Sequence, residues 1–179
     1  ELAQYLLMGA SVRQSLPLDG SRSFSDLSVS SPAYAAAEAA VAKGAPLRDL
    51  QWTQDGVMRL IGGNFKPNNG VSRSDLAYAL VQAQGLQAQA RAFSGEMTAF
   101  FDGQRVPVRD ASSVPADLRG YMQLALDTGV LNARFAVEQG PFDLQPKVVA
   151  YVDGNQAVTR AAYAVAAGRF QSQYQTAED

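Results

Sequence analysis

Two residue types that carry much of enzyme chemistry are missing from this chain, which has no His and no Cys. Their absence excludes Ser-His-Asp and Cys-His catalysis, imidazole metal sites and thiolate zinc sites. Paired carboxylates, Lys, Tyr or an unassisted Ser remain, but nothing in the sequence places two carboxylates at the separation that a glycosidase needs. We therefore predict a non-catalytic chain with no catalytic residues, no metal site and no cofactor.

The best candidates for ligand contacts are two short motifs that each place an Arg beside a hydroxyl. They are Ser72-Arg73-Ser74-Asp75 and Thr159-Arg160-Ala161-Ala162. The hydroxyl is typical of a helix N-cap, and Asp75 completes a capping-box arrangement. An Arg at this end of a helix opposes the helix dipole, so its presence in both motifs needs a reason. Contact with an anionic ligand is one such reason, and an ion pair with Asp26 or Asp110 is the other.

Each motif closes a longer stretch with the same order of signals, which indicates an internal repeat. Each stretch has an early Asp, a helix that ends at Gly, a loop with Phe and Pro, and then the motif. The first contains Phe24, Asp26, Gly44, Phe65 and Pro67, and the second contains Asp110, Gly129, Phe142 and Pro146. We predict the final helix of a preceding copy with a linker, two complete copies and a polar tail. These segments span residues 1–20, 21–95, 96–170 and 171–179.

Three Asp-Gly pairs between β-favouring residues predict tight hairpins, because the two-residue turn needs positive φ angles. They are Asp55-Gly56, Asp102-Gly103 and Asp153-Gly154. The corresponding hairpins would cover residues 47–61, 97–108 and 148–157. The helices around them carry apolar stripes with helical spacing. The elements that position the two motifs are therefore predicted to be mainly helical, with short β-hairpins added.

This combination of signals resembles the S-layer homology family. Its repeat opens with Phe-x-Asp, continues through a helix ending near Gly and a Phe-x-Pro loop, and starts a second helix with a Thr-Arg-Ala-Glu-like motif. The resemblance covers residues 1–10, 24–83 and 108–168. It implies a mainly α fold with short β-hairpins, in which helical repeats form a bundle with the pseudo-symmetry of a three-sided prism.

The resemblance also implies a function. The family attaches exported proteins non-covalently to cell-envelope polysaccharide, often one that carries acidic pyruvyl ketals. Arg73 and Arg160 would then contact the sugar carboxylate, for which a planar guanidinium is well suited. Ser72, Thr159 and Asp75 would lie around the same helix starts, where backbone N–H groups favour anions. An extracytoplasmic location follows, within a larger secreted bacterial protein such as a serine protease.

Departures from the family pattern leave a second function open. Ala162 stands where the family has an acidic residue, and only two complete copies are visible. The alternative is a degenerate structural or interaction module that packs on its parent enzyme or associates with a second chain. The hairpin insertions would supply its protein-facing surface.

Trp52 and the overall charge bear on the partner class. Trp52 lies near an Asp-Gly pair, so either stacking on a sugar or packing in the core would explain it. The net charge is −2 and the 15 basic residues are scattered, so we do not expect a nucleic-acid partner. No stretch approaches the roughly 18 consecutive apolar residues of a membrane span, so we expect no transmembrane segment.

Overall fold

The structure, a computed structural model, describes residues 1–8, 22–42 and 54–174. Across these ranges the chain forms helices and short antiparallel hairpins. The helices are α1 (Leu2–Met8), α2 (Tyr34–Val41), α3 (Arg73–Ala83), α4 (Gln87–Ala92), α5 (Arg119–Asp127) and α6 (Arg160–Tyr174). The strands are β1 (Thr98–Phe101), β2 (Gln104–Pro107), β3 (Arg134–Glu138) and β4 (Lys147–Tyr151), and the 3-10 turns Ala111–Ser113 and Ala116–Leu118 precede α5.

The balance of helix and strand contradicts the predicted fold class. Helix makes up about 40% of the structure and strand about 16%. The prediction of a mainly helical repeat bundle with the symmetry of a prism is therefore wrong, and the fold is mixed. The physical reason is that both hairpins bury side chains in the common core, through Ala99 of β1 and Ala150 of β4. Their β-branched and aromatic residues favour a pleated, half-buried surface over helix.

The centre of the core is α3, whose residues 76–83 are all buried. A helix enclosed on all sides needs small or apolar residues around its whole circumference. Leu76, Leu80 and Val81 meet this need and are at most 1% exposed. The helices α1, α4 and α5 all contact α3.

The Asp102-Gly103 hairpin is confirmed. Strands β1 and β2 pair antiparallel, with Phe101 opposite Gln104. The two turn residues between them have φ angles of 48° and 76°, as a type I′ turn requires.

The other two predicted hairpins differ from the structure. Residues 54–60 contain no strand, so Asp55-Gly56 is not a hairpin turn, while Trp52 and residues 47–51 lie outside the described residues. Asp153-Gly154 lies in a turn after β4, and β4 pairs with the preceding strand β3. The third hairpin was therefore placed wrongly along the chain, because its long connection at residues 139–146 carries no tight-turn signal.

The ends of α5 and α6 differ in how well they match the sequence. Gly129 follows α5 with a φ angle of 72°, so the predicted stop is confirmed there. The last helix, α6, continues to Tyr174 and so includes the first residues of the segment predicted as a polar tail.

Candidate functional site

Asp26 folds the loop before α3 by binding two neighbouring backbone amides. Its carboxylate oxygens accept the N–H groups of Phe65 and Lys66 at 2.9 and 2.7 Å. Lys66 has a φ of 57°, and its carbonyl accepts the N–H of Asn69 at 3.0 Å. We call residues 65–69 the first aspartate turn. A carboxylate that accepts two N–H groups provides charge-assisted bonds, which explains why a Lys adopts the left-handed region here.

The same arrangement occurs before α6. Asp110 accepts the N–H groups of Val152 and Asp153 at 2.9 and 2.7 Å. Asp153 has a φ of 50°, and its carbonyl accepts the N–H of Gln156 at 2.9 Å. We call residues 152–156 the second aspartate turn. Both early Asp residues therefore bind backbone amides, and the structure gives them no ion pair with Arg73 or Arg160 within the described residues.

The two aspartate turns change how the copies align. Lys66 lies six positions before Ser72, and Asp153 lies six positions before Thr159. Phe65 therefore corresponds to Val152, whereas the sequence pattern had matched it with Phe142. The match failed because Asn68 and Asn155 are the only identical pair in the two turns, so the constant spacing to the capping hydroxyl was the main available signal.

Phe142 and Pro146 instead belong to the connection between β3 and β4. Phe142 is 96% exposed there.

Both capping hydroxyls act as the sequence predicted. The Ser72 Oγ accepts the N–H of Asp75 at 3.1 Å and donates to its Oδ2 at 2.6 Å. The Thr159 Oγ1 accepts the N–H of Ala162 at 3.1 Å. Because Ala162 has no carboxylate, the start of α6 lacks the reciprocal contact of a capping box. The bond from the Ala162 N–H to the Thr159 hydroxyl is still made.

The two motifs lie next to each other in an antiparallel pairing. Ser72 bridges to Ala157, the Val158 N–H donates to the Val71 carbonyl at 2.8 Å, and the Arg73 N–H donates to the Gln156 carbonyl at 2.9 Å. The starts of α3 and α6 are therefore neighbours, which places both predicted Arg residues in one region of the molecule.

The guanidinium of Arg73 is hydrogen-bonded to backbone carbonyl groups within the fold. Its Nε donates to the Val152 carbonyl and its Nη2 to the Asn132 carbonyl, both at 2.7 Å. The side chain is partly buried, and burial lowers the pKa of the guanidinium below its ordinary value although Asp153 and Asp110 act in the opposite direction. Arg73 thus joins the second aspartate turn to the chain before β3.

Arg160 is exposed and lies on a groove. Its guanidinium has no hydrogen bond or ion pair with the described part of the chain. The groove has a volume of about 690 Å³ and lies between the starts of α1, α3 and α6 and the first aspartate turn. We call it the α6 groove. Its walls include Lys66, Asp75, Thr159 and Tyr163 as well as Arg160, so it gathers three of the six predicted site residues.

The charges of the α6 groove are partly neutralised. Arg59, on its wall, donates to Asp75 at 3.0 Å and to Asp117 at 2.9 Å. Lys66 and Arg160 form no ion pair with described residues, while Glu1 adds a negative charge at the α1 side. Burial raises the pKa of Tyr163 to about 12, with further contributions from Tyr5 and Glu1. The Tyr163 hydroxyl is therefore a neutral donor at every ordinary pH.

Asp26 gives a pH-dependent test of the first aspartate turn. Desolvation acts to raise its pKa, but the N–H groups of Phe65 and Lys66 outweigh it and hold the pKa of Asp26 below 3.8. A carboxyl with a lowered folded-state pKa stabilises the fold above its unfolded pKa, and this contribution disappears as the pH falls through the folded-state value. We therefore expect the free energy of unfolding to fall less between about pH 5 and about pH 2 in Asp26→Asn than in the wild type. Urea unfolding followed by circular dichroism measures this difference, and an equal slope in both proteins would contradict it.

Other classes of site were sought in the same ranges. No group of three or more acidic, His or Cys side chains that would suit a metal ion occurs in the described residues. Across residues 1–8, 22–42 and 54–174, none of the helices combines the length and apolar character needed to cross a bilayer.

Sequence reasoning did not identify Lys66 and Tyr163 as residues of the groove. No sequence motif singles out Lys66, and Tyr163 lies in a helix for which no role in ligand binding was predicted from the sequence.

No protein-family model, curated protein or solved structure matches this chain.

Proposed function

We propose that this chain is a non-catalytic anchoring module that attaches a larger exported protein to an acidic cell-envelope polysaccharide. The observation that carries the proposal is the exposed guanidinium of Arg160, which has no partner among the described residues and lines a groove of about 690 Å³. The resemblance to S-layer homology repeats supplies the class of ligand, and a carboxylate-bearing sugar such as a pyruvyl ketal fits the groove's free cations. An extracytoplasmic location belongs to the same proposal.

The start of α6 suits a carboxylate. The N–H groups of Arg160 and Ala161 have no hydrogen bond with the described residues, as is usual in the first turn of a helix. The helix dipole makes this end positive, and the guanidinium adds a planar pair of donors. An anionic sugar substituent can therefore bind here without displacing an internal partner.

The walls of the groove suit the rest of a sugar. Tyr163, Tyr78 and Phe65 line it, and aromatic side chains supply apolar contact area for a sugar face. The Tyr78 hydroxyl donates to the Gly56 carbonyl within the fold. Lys66, which forms no ion pair with described residues, adds a second positive charge to the groove lining. Arg73 is left out of the proposed site, because its Nε and Nη2 donate to carbonyl groups within the fold.

The test is co-sedimentation with purified sacculi, with and without their attached polysaccharide. We expect binding that depends on the polysaccharide and falls about tenfold in Arg160→Ala, the effect of losing one charge-assisted contact. The matched control is Arg119→Ala, which removes an exposed Arg that does not line the groove. The double variant Lys66→Ala/Arg160→Ala should bind more weakly than either single variant.

Two outcomes would contradict the proposal. One is equal loss of binding in Arg119→Ala and Arg160→Ala, which would indicate attraction by net charge alone. The other is no binding by the folded wild-type chain, and this result would favour the degenerate interaction module.

A further inference from the structure

Strand β3 has one edge that no described part of the chain covers. Its partner β4 accepts a hydrogen bond on the far side, from the Arg109 N–H to the Ala150 carbonyl at 2.8 Å. Within an antiparallel strand, the N–H and C=O of one residue point to the same side. The backbone N–H and C=O groups of Ala150 therefore point away from β3. Those of its cross-strand neighbour Phe135 point away from β4. The same holds for Val137, two residues further on.

Two of the features that usually prevent pairing are absent from this edge. The strand has no Pro and no bulge in its register with β4, and the side chain of Val137 is 68% exposed. Uncovered edges of this kind pair readily with another strand. The outward N–H and C=O groups of Phe135 and Val137 provide four hydrogen-bonding groups for such a strand.

The order of residues in β3 identifies a partner. Arg134 and Glu138 lie at equal distances on either side of Ala136. A second copy that runs antiparallel, with a two-fold axis at Ala136, brings Arg134 opposite the partner's Glu138. The same register brings Phe135 opposite the partner's Val137, so that all four outward backbone groups meet their complements.

Other registers do not satisfy both conditions. An axis at Phe135 places Arg134 opposite the partner's Ala136, and an axis at Val137 places Glu138 opposite the partner's Ala136. In both cases Arg134 and Glu138 gain no opposite charge across the interface and keep only their exposed pairs within the chain, with Asp153 and Arg109. A symmetric interface must be self-complementary, and the strand is self-complementary only around Ala136.

We propose that two copies of this chain associate through antiparallel pairing of β3 with β3, centred on Ala136. This dimer is independent of the α6 groove and of the ligand proposed for it. The loop at residues 139–146 follows β3, so antiparallel pairing brings it beside the chain that precedes the partner's Arg134. That loop includes Phe142 and Leu144, which are 96% and 99% exposed in the single chain.

Pairing along one short strand buries little area, so the dimer is weak. Interfaces well below the standard size bind transiently, and we expect a dissociation constant on the order of 100 µM. Sedimentation equilibrium from about 10 µM to about 1 mM covers this range. A wild-type chain that stays monomeric throughout would overturn the proposal.

Complementary charge changes test the register. Arg134→Glu places like charges opposite each other in the dimer, and Glu138→Arg does the same with the opposite sign. Each variant alone should therefore dimerise about tenfold more weakly than the wild type. An equimolar mixture of the two should recover association, because the carboxylate introduced in one copy then faces the guanidinium introduced in the other. Failure of the mixture to associate while both variants are folded by circular dichroism would overturn the register.

Val137→Pro tests the backbone contacts separately. The Val137 N–H points away from β4, so its loss removes no hydrogen bond of the β3–β4 pair. We expect a folded monomer with an unchanged affinity for polysaccharide-bearing sacculi. A dimer of wild-type strength in Val137→Pro would mean that the copies associate elsewhere.

Discussion

Gly120→Ala is expected to destabilise the fold by about 3 kcal/mol, the upper part of the range for overpacking a core. A β-carbon at Gly120 would lie 1.9 Å from the Ala90 carbonyl oxygen and 2.9 Å from the Phe93 β-carbon. The Ala90 oxygen belongs to the backbone of α4, so α4 and α5 would have to move apart. That movement would disturb the contact of α5 with α3 as well.

The control is Gly168→Ala in α6. Nothing lies within 4 Å of a β-carbon at Gly168, and Ala forms helix better than Gly by up to about 1 kcal/mol. This variant should therefore be as stable as the wild type or more stable. Urea unfolding of both variants gives the comparison. Equal midpoints for the two would contradict the close approach of α4 and α5.

The elements that the sequence predicted are those whose signals are local. The Ser72 capping box, the turn at Asp102-Gly103 and the stop at Gly129 each depend on a few neighbouring residues. Their backbone geometry is set by side-chain caps and by positive φ angles. These three features agree with the structure.

The features that were missed depend on residues far apart in the chain. The loop that joins β3 to β4 has no turn signal in its sequence. The predicted helical bundle was wrong because residues of both sheets are buried in the core. Asp26 binds amides 39 and 40 positions away, which no periodicity reveals. The copies were misaligned for the same reason, because the contact that they share is a tertiary one.

The candidate site was found in part. Thr159, Arg160 and Asp75 line the α6 groove, and Ser72 caps α3, while Trp52 lies outside the described residues. Arg73 and Arg160 begin helices in similar local motifs, yet one is bonded within the fold and the other is free of partners among the described residues. The difference comes from the second aspartate turn, whose Val152 carbonyl lies against the start of α3.

Arg73→Ala is accordingly expected to destabilise the fold by about 2 kcal/mol, because it leaves the carbonyls of Val152 and Asn132 without a charged donor. Arg160→Ala should change the free energy of unfolding by less than about 0.5 kcal/mol, as is usual for an exposed side chain without partners. Urea unfolding of the two variants measures the difference. Equal stabilities would contradict the bonding of Arg73.

The substitution of Arg73 should have the larger effect on stability, and the substitution of Arg160 should have the larger effect on binding. At a temperature where both variants are folded, Arg73→Ala should retain affinity for polysaccharide-bearing sacculi, and Arg160→Ala should lose it. Arg73→Lys separates geometry from charge, because an ammonium cannot reproduce the two directed bonds of a guanidinium. If Arg73→Lys is as unstable as Arg73→Ala and still binds, the first motif supports the fold and the second motif supports the groove. Loss of binding in folded Arg73→Lys would instead indicate that Arg73 contacts the ligand.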